Sequence, residues 1–157
     1  MLDQLSQWLQ IFLLSMIPGA EAKLGVPYAL YNFHWEWWQA FPIAIAGNMF
    51  LVPFGLKFFK YAEQYFRKFD SSNKLMDRVF SRIRNRTNKK IQRYKGLALI
   101  FFVALPLPFT GAGIGVLIAY LFDFKFKDSI IMIFIGVLIA TTTITIFYLF
   151  GVFLFTF

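Results

Sequence analysis

Four stretches of this chain carry no charged residue, at 4–20, 39–56, 96–122 and 129–157. A hydrocarbon core of about 30 Å needs about 20 helical residues. The stretch 129–157 therefore predicts a transmembrane helix with length to spare for tilt. The stretch 39–56 is slightly short, but Phe58 and Phe59 extend it while Lys57 and Lys60 reach back to the interface. The other two are interrupted. The first runs into Pro18-Gly19, then Glu21, Lys23 and Pro27; the third reaches Leu105-Pro106-Leu107-Pro108 before Thr110-Gly111-Ala112-Gly113. Proline removes a backbone donor and blocks the preceding turn, so each should break in its middle. A kinked span and a re-entrant helical hairpin both fit one break. Two Pro/Gly-dense breaks in matching places predict hairpins, with the irregular backbone buried in protein or lining a wet cavity.

Composition agrees that lipid is the solvent. Of 157 residues, 59% are hydrophobic, 21% aromatic and 15% charged, against about 25% charged in soluble domains. Without cysteine there are no disulfides or thiolate ligands. The start, Met1-Leu2-Asp3-Gln4, lacks a basic signal-type region, so the first apolar stretch is expected to be mature protein.

The two halves resemble each other. A shift of 88 residues lays Pro18 over Pro106 and Gly25-Val26 over Gly113-Ile114, and one further residue lays Gly47 over Gly136. Interrupted apolar segments in corresponding positions of two halves point to a transporter binding site. From Lys57 to Lys95, thirteen Lys/Arg stand against Glu63, Asp70 and Asp77, so the positive-inside rule places 57–95 in the cytoplasm. Hairpins would then put both termini and 31–39 outside and residues 123–128 inside, making the halves inverted repeats. The expected fold is all-α and integral to the membrane. Residues 1–58 form the first repeat, a re-entrant hairpin plus a transmembrane helix; 96–157 form the second; 59–95 form a basic amphipathic connector. Phe58, Tyr61, Ala62, Tyr65, Phe66 and Phe69 recur at helical spacing, as do Leu75, Met76, Val79, Phe80 and Ile83, fitting helices that lie on anionic lipid headgroups.

Candidate chemistry is concentrated at the breaks. Glu21 and Lys23 are the only charges inside otherwise apolar segments, and a charge at membrane depth costs at least about 2.5–3.5 kcal/mol. Two residues apart, they diverge on a regular helix but share a side in an extended tip. The pair reads either as an ion pair that pins the hairpin or as a site, with Lys23 drawing an anionic group and Glu21 taking a proton or cation. In the second tip Thr110 is expected to cap a helix beginning at Gly111, whose free N–H groups suit an anion; close packing of small residues is the plainer alternative. His34, the only histidine, sits in an aromatic belt with Trp35, Trp37 and Trp38 and reads as interfacial. No nucleophile–base pair, phosphate loop or metal-ligand spacing is visible, so neither an enzyme nor a cofactor is expected, and nucleic acid is not an expected partner.

At these residues the chain resembles the small multi-drug export protein family, related to the DedA superfamily. The first signature is an acid, a base two positions on and a proline four further: Glu21, Lys23 and Pro27, preceded by Pro18. The second is a Leu-Pro stretch leading into a glycine tip, here Leu105-Pro106-Leu107-Pro108 and Thr110-Gly111-Ala112-Gly113. Where relatives carry arginine this chain has Lys23, which loses bidentate capture of phosphate, and its second tip lacks the arginine of DedA relatives. The resemblance implies a dimeric transporter with two opposed re-entrant hairpins. Its DedA relatives are similar to carriers of polyprenyl phosphate lipids. The expected function is a multi-pass plasma-membrane transporter, coupled to protons, for an amphipathic substrate such as a lipid phosphate. Export of lipophilic cations, and a scaffold binding membrane lipids through its connector, are the alternatives. The expected site is Pro18, Glu21, Lys23, Pro27, Pro106, Pro108, Thr110, Gly111 and Gly113. A homodimer is expected, with Ala40, Ala44, Gly47, Gly136 and Ala140 as its contact residues.

Overall fold

The computed structural model describes residues 2–66, 89–107 and 110–156. Pro108 and most of the connector, including the segment 75–83, lie outside the described residues. Those described form six helices and no strand: α1 (Leu2–Met16), α2 (Glu21–Phe33), α3 (Trp37–Phe66), α4 (Lys89–Ala104), α5 (Ala112–Leu121) and α6 (Phe126–Thr156). Trp37–Ala62 of α3 and Phe126–Leu154 of α6 are long and apolar enough to cross a membrane. Ile146, Phe147, Phe150 and Phe153 stand exposed on α6, a surface that suits lipid rather than water.

Both breaks fall where proline and glycine put them. α1 stops before Ile17 and Pro18, and Gly19 turns the chain with a φ of 97°, in the left-handed region that glycine enters without steric cost. α4 stops before Leu105 and Pro106. Other prolines are absorbed: Pro27 lies inside α2, and Pro42 and Pro53 inside α3. α2 ends at His34, whose left-handed backbone (φ 53°) closes the helix by letting the next N–H, that of Trp35, donate to the Ala29 carbonyl. α3 does not end near the expected boundary at 58. It continues as one helix to Phe66, with the apolar, membrane-capable part reaching Ala62, so residues 59–66 are continuous with α3.

Packing in one half recurs in the other. α1 packs on α2 and α3 as α4 packs on α5 and α6, and contacts between the halves run from α3 to α5, from α2 to α6 and from α3 to α6. Ile11 and Ser15 are buried on α1, as are Leu99 and Val103, 88 residues on, on α4. On α3, Ala40, Ala44, Gly47, Asn48, Val52 and Leu56 are buried; 89 residues on, so are Ser129, Ile133, Gly136, Val137, Thr141 and Thr145. Between them the register is 90: Ala22, Gly25, Val26 and Ala29 are matched in burial and identity by Ala112, Gly115, Val116 and Ala119. Sequence alone paired Gly25-Val26 with Gly113-Ile114. Burial pairs them instead with Gly115-Val116, because the buried positions that flank the second break, Val103 and Ala112, stand two residues further apart than Ser15 and Ala22.

Contacts repeat in the same register. Gly25 lies against Ser15 and Ala44, and Gly115 against their counterparts Val103 and Ile133. Gly47 lies on the backbone of Phe12, and Gly136 on Val103 and the carbonyl of Ile100. The small residues expected at a dimer contact are thus spent inside the protomer: Ala40, Ala44 and Ala140 are fully buried, and both glycines seat a neighbouring helix. In lipid, close approach at small residues is what holds helices together. Gly47→Leu would place a side chain on backbone that cannot yield, and a loss of about 3 kcal/mol is expected. Gly136→Leu should cost a similar amount, because Val103 Cβ, fixed by its backbone, and the Ile100 carbonyl lie 2.6 and 3.0 Å from where its Cβ would stand. Thermal unfolding in mild detergent compares the two.

Candidate functional site

The two breaks meet. Lys23, in the first turn of α2, sends its ammonium across to the second break, where it donates to the carbonyls of Leu105 (3.2 Å), Leu107 (3.4 Å) and Thr110. The Glu21 carboxylate stands 3.7 Å from the same nitrogen, and both residues are buried. They share a side without any extended tip. Both belong to α2, but Glu21 opens it in left-handed backbone with a φ of 54°, a region that few non-glycine residues occupy. That one strained residue swings its side chain toward Lys23, and such outliers cluster at functional sites. Pro27 adds to the local polarity, since it cannot donate to the Lys23 carbonyl one turn back.

The carboxylate lies over Gly111, against the backbone N–H groups of Ala112 and Gly113 that open α5. A helix N-terminus carries about half a positive charge, so a carboxylate is favoured there. The helix has no side-chain cap of its own. Thr110 does not cap it; its hydroxyl turns back to the Leu105 and Leu107 carbonyls at 2.8 and 2.9 Å. The anion that answers α5 is thus supplied by the opposite half. In the 90-residue register Glu21 corresponds to Gly111 and Lys23 to Gly113, so the charges of one tip nest where the other tip has glycines. A Cβ at Gly111 would strike the Glu21 carboxylate, which is why that position is glycine.

Beside the pair is a cavity of about 150 Å³, lined by Pro18, Glu21, Asn48, Phe59, Gly113 and apolar side chains of α1, α3 and α5. Of the expected residues, the structure brings together Glu21, Lys23, Thr110, Gly111 and Gly113, with Pro18 on the cavity wall. Pro27 lies further along α2, Pro106 is exposed within the second break, and Pro108 lies outside the described residues. Lys23 is not on the cavity wall. Sequence reasoning missed Asn48, which is 5% exposed and has no hydrogen-bond partner for Nδ2, just as Glu21 has none for Oε2. An amide in the middle of a charge-free span was the available signal.

Against protein families, the model described as putative small multi-drug export protein matches residues 21–143. The chain belongs to this family. The match begins at Glu21, just after the first break, and takes in α2, α3, the second break and most of α6, so the side-chain bonds of Lys23 and its ion pair with Glu21 fall within it. No curated protein and no solved structure matches the chain.

Proposed function

We propose that this protein is a small secondary exporter in which the Glu21 carboxylate exchanges a proton for a lipophilic cation. The observation that carries this is the division of labour within the pair. Lys23 has its hydrogens taken up by carbonyls of the second break, whereas Glu21, held to Lys23 only by an ion pair at 3.7 Å, also belongs to the wall of an apolar cavity. A carboxylate beside an apolar recess that includes the Phe59 ring suits a lipophilic cation. The family's export description supports transport. The lipid-phosphate reading has less support, since Lys23 would first have to leave three carbonyls to meet an anion. No catalysis is assigned to the site.

The same reading takes the two breaks as tips of re-entrant hairpins. α1, α2 and α5 have 15, 13 and 10 residues, and at 1.5 Å per residue none reaches about 30 Å. On this reading the halves are inverted repeats about the site, which the recurring packing supports, with the basic segment 57–95 cytoplasmic in a plasma membrane. A homodimer would need a contact other than the small residues already used inside the protomer. Kinship with the DedA superfamily rests on the signatures around the tips.

The test is gradient-driven movement of tetraphenylphosphonium in proteoliposomes. Wild type should exchange it for protons. Glu21→Gln, nearly isosteric but unable to carry a proton, should fold and lose the response to an imposed pH gradient. Undiminished exchange by Glu21→Gln would remove the proposal, and no exchange by wild type would favour the scaffold.

A further inference from the structure

A second cavity lies further along the seam between α3 and α5. The first is walled by Val52, Gly55 and Phe59 of α3 with Gly113 and Val116 of α5. Leu56 and Lys60 of α3, with Ala119, Tyr120 and Asp123 at the end of α5, wall the second, of about 240 Å³. The two share no described lining residue. Between them stands a pair of rings. Phe59, in the wall of the first, and Tyr120, in the wall of the second, stack with centroids 5.5 Å apart and planes at 24°. Both are half-buried. The helices close together beside them, where a Cβ on Gly55 would stand 3.1 Å from the Val116 side chain, so the seam narrows toward the rings.

The two cavities differ in character. Among the described residues Glu21 is the only charge on the first wall, and it is buried. Lys60 and Asp123 on the second wall are exposed, and a roomy recess with polar partners holds water. In the registers that relate the halves, Tyr120 corresponds to Leu30 and Phe59 to Tyr148. A leucine serves at one of these places, so the fold does not require two rings there. We infer that Phe59 and Tyr120 form a gate between the Glu21 carboxylate and water at the Lys60 end of the protein. Ring stacking shifts an equilibrium by about two- to tenfold, enough to favour the shut state and little enough for thermal motion to open it. The inference deepens the cation-exchange reading and rests on it: a proton and a cation that take turns on one carboxylate need a barrier that opens and shuts.

The absence of cysteine makes the gate measurable. Val116→Cys puts a thiol in the wall of the first cavity. The probe is the membrane-impermeant cation 2-(trimethylammonium)ethyl methanethiosulfonate, applied to both faces of proteoliposomes. Pro18, Leu51 and Gly113 on the first wall are also exposed, but on the re-entrant reading that side faces lipid, which the probe does not enter. The thiol should react slowly with both rings in place, and about two- to tenfold faster with Phe59→Ala or Tyr120→Ala. Tyr120→Phe, which keeps the ring, should stay slow. Lys60→Cys should react fast in every background, and Val137→Cys, buried on α6 outside both cavities, in none. The gate is overturned if Val116→Cys reacts alike in all backgrounds, if Tyr120→Phe speeds it, if Lys60→Cys is unreactive, or if Val137→Cys becomes reactive along with it. Any of these beside undisturbed exchange of tetraphenylphosphonium for protons leaves the exchange reading standing. Ring-dependent labelling of a protein that exchanges nothing removes that reading and leaves the barrier.

Discussion

Lys23→Met is expected to destabilise the protein by about 3–5 kcal/mol, the usual cost of removing one partner from a buried ion pair. Two losses combine. Glu21 keeps its charge and loses the cation 3.7 Å away. The carbonyls of Leu105, Leu107 and Thr110 lose a shared donor. Thr110 cannot replace it, since its single hydroxyl hydrogen is divided between Leu105 and Leu107 and its own carbonyl is left bare. The double variant Lys23→Met with Glu21→Gln should therefore recover only part of the stability. Charge is balanced again, but an orphaned carbonyl still costs about 1–3 kcal/mol. Thermal unfolding of both variants beside wild type measures this, and full recovery in the double would mean that the carbonyls do not depend on Lys23.

Gly111→Ala separates position from charge. The added methyl occupies the place of the Glu21 carboxylate, and the yielding group is the end of a flexible side chain, so the fold should survive. Expelled from the start of α5, the carboxylate loses the helix terminus and the N–H groups of Ala112 and Gly113, a loss of about 1–2 kcal/mol. Glu21 remains ionisable, yet gradient-driven exchange should fall as far as in Glu21→Gln. Gly113→Ala is the control, because a Cβ there meets nothing within 4 Å, and it should exchange normally. If Gly111→Ala transports like wild type, the seat of the carboxylate is not where exchange takes place.

The breaks and the two long spans were legible because proline, glycine and charge act locally. Pro18-Gly19 and Leu105-Pro106 end helices wherever they occur, and no charge interrupts 129–157. The internal likeness was legible at Gly47 and Gly136, but its register at the tips was not. Ala22, Gly25, Val26 and Ala29 match their partners only when two additional residues are allowed between the buried positions that flank the second break, and loop length leaves no periodic trace. Nor could sequence show that α5 takes its anion from Glu21, some ninety residues earlier: capping rules look a turn away, and there they found Thr110. Asn48 was overlooked because one amide barely changes the hydropathy of a span.

The crossing of the two breaks also bears on how the chain is made. Glu21 and Lys23 leave the ribosome almost ninety residues ahead of Thr110, whose carbonyl and following N–H groups complete their surroundings. At about 5–20 residues per second that gap lasts roughly 5–20 s. If the breaks are re-entrant tips, as proposed, the first one holds an ammonium and a carboxylate throughout that gap with no seat in hydrocarbon, where each unsatisfied group costs several kcal/mol. The first tip must wait in a hydrated place, at the interface or within the insertion machinery, until the second arrives. On the re-entrant reading proposed above, insertion would thus end in a single late event, the joint descent of both tips, and not in the stepwise entry of four independent segments.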